Sequence, residues 1–360
     1  MSDITEQKVA IVITTRNRSD FLIRLLNYYS KNNCPHTIYI GDASTKEHQQ
    51  QTTDIINKIG TKVKIIHNDF TGYTPSQSTY ELLTQVKEKY ACFNGDDDYQ
   101  ISASLIKCAE FLEKNPDHAT ASGYAVNFRL KQDGPYGELA SLKDYPRPEL
   151  HSEPASRRVV DFLSKYFVTN ISVSRTEQMK NNWSNYDKMS DLAFDSEILP
   201  GVLSIIDGKA KTLDCLSIVR QMHNRQYALS FILDWVAHPD WLRSYLEFIR
   251  IVSEKLSEKD NIDKEKATQI VSQGFWLYLQ NGLMREYPKA FPVIKPQQKE
   301  NLKKLRGYLA KSVPLFKKIY RSYWLPIIYK EKQLHYDVLQ PSSKYYKDFK
   351  EVMDSFLKRP

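Results

Sequence analysis

Apolar residues first gather in the unbroken, largely β-branched run Val9–Thr15 (VAIVITT), which predicts a strand buried on both faces. After Arg16-Asn17-Arg18, the periodicity lengthens. Phe21, Leu22, Leu25, Leu26 and Tyr29 recur at helical spacing, with Ser19 as the expected N-cap, Asp20 in the first turn and Pro35 as the stop. The pattern then repeats. Thr37–Ile40 predicts a strand ending at Gly41-Asp42-Ala43-Ser44, followed by a polar helix to Ile59, a strand at Val63–Ile66 and a helix over Ser76–Lys89. The short run Tyr90–Phe93 leads into the acidic turn Asn94-Gly95-Asp96-Asp97-Asp98-Tyr99, and a helix is expected over Ser102–Lys114. Strand–helix alternation of this kind predicts a mostly parallel sheet flanked by helices, a Rossmann-like α/β fold. In such sheets ligands collect outside the carboxyl ends of the strands. Four polar clusters fall there: Thr14–Asn17, Asp42–Ser44, His67–Gly72 and Asp96–Asp98.

Residues 129–158 break the periodicity with Gly134-Pro135, Gly137, Pro146, Pro148 and Pro154, and predict either an excursion that orders over a ligand or a surface insertion. Beyond it a helix is expected over Val159–Phe167 and a strand over Thr169–Val173. In Ser190–Leu199, Asp191 and Asp195 are four apart and share one helical face, with Glu197 turned away. A turn at Asp207-Gly208 precedes the strand Ala210–Val219, which runs into Arg220-Gln221-Met222-His223. From about Tyr227 only helical patterns remain, over 229–257, 264–287, 298–320 and 343–358. They divide the chain into an α/β unit, 1–228, and a helical C-terminal unit, 229–360.

Composition narrows the class. With 360 residues, 41% of them hydrophobic and 12% aromatic, the chain has ample core for a globular protein. The net charge of +8 is local: residues 299–332 hold ten Lys/Arg against two Glu. Cys34, Cys92, Cys108 and Cys215 are scattered among apolar neighbours without a CxxC pair, which predicts reduced buried thiols and a cytoplasmic setting. The polar, acidic residues 1–7 do not read as a signal peptide, and no stretch of about 18 uninterrupted apolar residues predicts a membrane-spanning helix.

Carboxylates as close as Asp96, Asp97 and Asp98 repel unless they are solvated or share a cation. Asp96 and Asp98, two apart in an extended turn, can point the same way. That suits either an acidic loop in water or a hard divalent cation whose shell a diphosphate completes.

Taken in order, four segments over about residues 8–225 resemble the GT-A glycosyltransferases of the large inverting, nucleotide-sugar-dependent family 2 type. These are Val9–Arg18 with its following leucines, Ile40-Gly41-Asp42-Ala43-Ser44-Thr45, Phe93–Asp98 and Asp195-Ser196-Glu197-Ile198. The resemblance implies transfer of a sugar from a nucleoside diphosphate, a UDP-sugar first, to a hydroxyl of a glycan or lipid-linked acceptor. It implies Mn²⁺ or Mg²⁺ on Asp98, with Asp96 shared between metal and ribose and Asp97 supporting the turn beside the donor. Thr14, Thr15 and Asn17 would border the base. Asp42 would accept from its ring N–H, or would instead act as a turn former capping through Ser44. Asp195 is the implied general base, with Asp191 the second candidate. His223 could be a further metal ligand or a packed side chain, and Arg220 and Arg225 could meet the diphosphate or lie in water. Two departures stand out: Gly41 occupies the place of the family's first Asp, and Ala43 that of its Gly.

The basic segment 299–332 interleaves charge with Phe316, Tyr320, Trp324 and Ile327, fitting either peripheral contact with the inner face of a membrane or the solvated face of a helical bundle. No nucleic-acid module accompanies the charge. The leading expectation is therefore a metal-assisted inverting transferase of polysaccharide or glycoconjugate synthesis. The alternative is a non-catalytic protein of the same fold that binds a membrane or a partner. A nucleotidyltransferase is set aside because Thr14–Arg18 contains no glycine to cradle a triphosphate.

Overall fold

A computed structural model describes residues 9–226, 231–290 and 334–357, without the side chains of 287–290. The basic segment 299–332, the expected helix 298–320 and the expected boundary at 228/229 lie outside the described residues.

The α/β alternation is present. Strands β1 (Val9–Thr15), β2 (Ile38–Asp42), β3 (Ile65–Asp69) and β4 (Tyr90–Gly95) alternate with helices α1 (Ser19–Lys31), α2 (Lys46–Ile59) and α3 (Pro75–Gln85). All four strands pair in parallel, in the order β3-β2-β1-β4. After the acidic turn come β5 (Tyr99–Gln100) and α4 (Ser102–Lys114), then β6 (His118–Leu130), β7 (Leu139–Tyr145), α5 (Ala155–Ser164), β8 (Val173–Arg175), α6 (Thr176–Trp183), α7 (Leu199–Asp207) and β9 (Lys209–Gln221). These strands extend the sheet as β4-β8-β6-β9-β5, with β7 beside β6; β6 and β9 are parallel, and the other pairings there are antiparallel.

The first strand shows why the sheet is buried on both sides. Ile11 and Ile13 pack with Leu22, Leu25 and Leu26 of α1, whereas Ala10 and Val12 face Leu82 and Leu83 of α3 and Trp183 of α6. Each buried Val, Ile or Leu side chain among these contributes about 1.5–3 kcal/mol, which pins the register of the rim that carries the polar clusters. A second core joins α5 and α7 to α8 (Ile232–Val236), α9 (Trp241–Asp260) and α10 (Lys264–Ala290). Helices α11 (Leu334–Asp337) and α12 (Tyr346–Leu357) return to the first core, where Phe356 stacks on Phe128 with ring centroids 4.7 Å apart.

Several local expectations differ. Ser19 lies inside α1, and Arg18 occupies the cap position without a capping side chain; the Ser19 hydroxyl instead donates to Gln51 at 2.6 Å. Of Thr169–Val173 only Val173 is strand, because a turn bond from Ser172 N–H to Thr169 O presents the Asn170 carbonyl to Phe93 N–H. The expected helix 229–257 is divided into α8 and α9 on either side of Pro239, which cannot donate within a helix. The Pro/Gly-rich stretch contains β7 and the buried Arg147, which donates to Ser122 and to the Val168 carbonyl. Among the described residues no helix is long and apolar enough to cross a membrane, and the four cysteines are free and buried.

Candidate active site

The carboxyl ends of β1, β2 and β4 form one rim, because Thr15 is in register with Asp42 and Thr14 with Gly95. Asn17 leaves β1 in the left-handed region, at φ 54°, a conformation asparagine tolerates better than most residues. Its N–H donates to the Ser44 hydroxyl, and its side-chain oxygen accepts from Thr45 N–H. Thr14 is half-buried on the same strand end. Asp42 is fully buried, accepting from Ser44 N–H at 3.0 Å and lying 3.2 Å from His67 Nε2. Burial opposes its ionisation, but the bonds from His67 and Ser44 prevail and hold its pKa below the usual range. Both oxygens are thus engaged in shaping the turn. The Gly41 departure also has a steric cause: a Cβ there would stand 2.7 Å from the Phe70 ring, so an aspartate does not fit.

The acidic triplet closes the rim. Gly95 makes its fold possible, since a Cβ there would meet Asp97 Oδ1 at 2.6 Å. Asp96, Asp97 and Asp98 are all buried. Asp96 accepts from the Thr15 hydroxyl at 2.6 Å and from Arg18 Nε at 3.1 Å. Its Oδ1 lies 2.5 Å from Arg18 Nη2 but out of hydrogen-bond alignment, leaving that oxygen without a hydrogen-bond donor among the described residues. Asp97 accepts from Arg18 Nη1 at 3.0 Å and His223 Nε2 at 2.8 Å. Asp98 accepts from Arg220 Nε at 2.9 Å and Gln221 N–H at 3.0 Å. Burial raises Asp96 to about 7 and Asp98 to about 6 against the pull of Arg18 and Arg220, with the charge of Asp97 adding to both rises. For Asp97 the His223 bond and the two arginines outweigh burial and lower its pKa.

The expected ligand set Asp96, Asp98 and His223 is therefore not gathered on one point. Among the described residues no three His, Cys, Asp or Glu side chains could hold a metal ion. His223 stacks on Phe21 at 4.4 Å, and its Nδ1 accepts from Arg225 N–H, which assigns the proton to Nε2 and directs it at Asp97. Arg225 itself pairs with Asp20 on the surface. Arg220 lies over the Tyr145 ring at 5.1 Å, and its two terminal nitrogens make no hydrogen bond among the described residues. Nearby, Arg24 donates to the Asp97 and Pro135 carbonyls, and Gln221 to that of Gly134, so the Pro/Gly-rich turn is tied to this centre.

Asp195 arrives from the far side. It sits in a single π-helical turn, Phe194–Ile198, between Leu192 and α7, joined to β4 through Asn170: the Asn170 carbonyl accepts from Phe93, and its side chain donates to the Ser196 and Glu197 carbonyls at 3.4 Å. Asp195 is buried; its Oδ2 accepts from Ser76 Oγ in the first turn of α3, and its Oδ1 has no hydrogen-bond partner among the described residues. Burial raises its pKa to about 7, opposed by the Ser76 bond and reinforced by Asp187 and Asp191. Asp191 is engaged differently. It accepts from Ala193 and Phe194 N–H and from Trp235 Nε1 at 2.8 Å, so it caps the turn and anchors α8. Glu197, expected to face away, accepts from Tyr166 at 3.0 Å; burial raises its pKa, and the charge of Arg220 opposes the rise.

Sequence reasoning missed the roles of Arg18 and Ser76. Arg18 was visible at the end of the Val9–Arg18 segment, but Ser76 carried no signal, since its partner lies 119 positions away.

No family model matches the chain, and no curated protein sequence matches it. Among solved structures it is similar to S. aureus TarS, with a TM-score of 0.49 and 14% identity over 81% of this chain and 46% of that one. It therefore spans less than half of the full TarS chain. It is also similar to the 1–349 piece of S. aureus TarS in complex with UDP-GlcNAc (TM-score 0.49, 12% identity, 81% and 77% covered). A third similarity is to the mannosyltransferase PcManGT of Pyrobaculum calidifontis in complex with GDP-Man and Mn²⁺ (TM-score 0.44, 11% identity, 85% and 81% covered). Likeness this distant transfers neither a substrate nor a residue's role.

Proposed function

We propose that this protein is an inverting glycosyltransferase of the GT-A type, moving a sugar from a nucleoside diphosphate to an acceptor hydroxyl. The observation that carries the reading is Asp195: a buried carboxylate with one oxygen unpartnered among the described residues and a pKa raised to about 7, tied through Asn170 to the strand that ends in the acidic triplet. A group in that state is matched to taking a proton from a hydroxyl at neutral pH. In this reading Asp195 is the base. Asp191, spent on capping and on Trp235, takes no part in the chemistry.

Departure of a nucleoside diphosphate builds charge on its terminal phosphate. Arg220 has its Nε fixed by Asp98 and two terminal nitrogens free among the described residues, so it is the group we assign to that charge. Thr14, Thr15 and Asn17 border the nucleoside on the same rim. Mn²⁺ or Mg²⁺, which the sequence resemblance implies, finds no assembled ligand set among these side chains, and no step here is routed through it.

Ligand-dependent melting tests the reading. At a nucleoside diphosphate concentration about 100-fold above Kd, mass action adds about 2.7 kcal/mol, a rise of roughly 2 °C or more for a chain of this size. Arg220→Lys keeps the charge but loses the planar fork, and should weaken that response. A wild-type melting temperature indifferent to UDP, GDP, CDP and TDP, with and without Mn²⁺, would sink the donor site.

A further inference from the structure

In the Pro/Gly-rich stretch, Tyr145 and Arg147 each precede a proline, Pro146 and Pro148, and a residue in that position is driven out of the α region into extended backbone. Two apart on an extended chain, their side chains leave on the same side. Both reach Val168. Its N–H donates to the Tyr145 hydroxyl at 2.9 Å, and its carbonyl accepts from Arg147 Nη1 at 2.9 Å. Arg147 is buried, lies over the Phe167 ring at 5.3 Å and donates also to the Ser122 and Ser172 hydroxyls, so it spans the 167–172 segment from end to end.

The segment pinned in this way holds the turn of the proposed base. Tyr166, two residues before Val168, donates to Glu197 Oε1 at 3.0 Å, and Asn170, two residues after it, reaches the Ser196 and Glu197 carbonyls. The ring of the same Tyr145 supports the donor side: Arg220 lies over it at 5.1 Å while giving its Nε to Asp98. The packing of Tyr145 is equally two-sided, against Ala125, Ile171 and Ile218 on one hand and the second core on the other. One side chain thus meets both groups on which the reaction depends, the Asp195 turn through its hydroxyl and Arg220 through its ring. We propose that Tyr145 is a positioning residue, which sets Asp195 and Arg220 at the separation that proton removal and diphosphate departure require. A misplacement of roughly 1 Å at a reacting group can cost about 100-fold in rate. The kinetic consequence rests on the glycosyltransferase reading; the mechanical link from Tyr145 to the Asp195 turn does not.

Variants of the full chain test it. Tyr145→Phe keeps a ring beneath Arg220 and removes the bond to Val168, so kcat should fall about 10- to 100-fold at unchanged KM, with the wild-type melting response to nucleoside diphosphate. Tyr145→Leu removes the ring as well and should also weaken that melting response. Arg147→Lys loses the fork that spans Val168 and Ser172, loosens Val168 from its carbonyl side, and should repeat the loss in kcat. A Tyr145 that only stabilises the fold would lower the melting temperature and leave kcat per folded molecule at the wild-type value; that result would overturn the proposal. A double-mutant cycle in urea unfolding needs no substrate. Tyr145→Phe and Tyr166→Phe together should cost less than the sum of the two alone, because either loss already loosens the segment between them. Additive costs would overturn the link whatever the kinetics. Should wild type turn over no sugar nucleotide, the glycosyltransferase reading falls, and the cycle decides the link by itself.

Discussion

Removing the Ser76 hydroxyl isolates the one side-chain bond among the described residues that favours the ionised form of Asp195. Burial already lifts this carboxyl to about 7, and Ser76 works against the lift. A hydrogen bond to a charged group contributes about 1.5–3 kcal/mol, and one pKa unit corresponds to 1.36 kcal/mol, so Ser76→Ala should raise Asp195 by about one to two further units. At pH 7 the ionised fraction would fall from about a half to between roughly a tenth and a hundredth, and kcat/KM would fall about 5- to 50-fold. The assay is the pH profile of kcat/KM for donor turnover. Its acid limb should lie near 7 in wild type and at about 8–9 in the variant, with most of the activity regained at high pH. A limb that stays in place, or a loss of equal size at every pH, would refute the assignment of Asp195 as base.

Other expectations follow from the same geometry. Because the folded-state pKa of Asp195 is raised, its protonated form favours folding; the stability this contributes is present at low pH and lost as pH rises through about 7. Asp195→Asn should therefore melt higher than wild type at about pH 8, by a smaller margin at about pH 5 and with little difference only below about pH 4, where the unfolded carboxyl is protonated too, as read by thermal denaturation. Asp191→Ala removes a cap and strands the Trp235 N–H, and should cost about 2–4 kcal/mol in denaturant unfolding while turnover of the folded fraction persists. Arg220→Met leaves Asp98 buried without its partner, costing about 3–5 kcal/mol near pH 8, and the deficit should shrink as acid protonates Asp98. Titrations that show the same deficit at both ends of the pH range would contradict that pairing.

The N-terminal half of the sheet was legible because its strands are runs such as Val9–Thr15, buried on both faces and separated by helices with clean periodicity. Strand β6 was not: its small and polar residues, Ala119-Thr120-Ala121-Ser122-Gly123, give no apolar alternation and are fixed by neighbours that lie far off in sequence. The same limit governs the site. Motif spacing placed the acidic triplet at a strand end and Asp195 on a helical face, but spacing cannot say which charges a folded chain brings to a carboxylate. Arg18 and Arg220 reach the triplet across 78 and 122 positions and pair with carboxylates that sequence spacing had left without partners. Asp191 and Asp195 look equivalent on a helical wheel. They are separated by Trp235 and Ser76, which bond to one carboxylate each.

The most direct test of the whole account is release of nucleoside diphosphate from a panel of UDP-, GDP-, CDP- and TDP-sugars, run with wild type and Asp195→Asn in parallel. Turnover is expected with one nucleotide class, transfer with inversion at the anomeric carbon, and a loss of about 100-fold or more in the variant while its melting response to that nucleotide persists. Turnover by Asp195→Asn at the wild-type rate, or no turnover and no melting response with any of the four nucleotides, would contradict it.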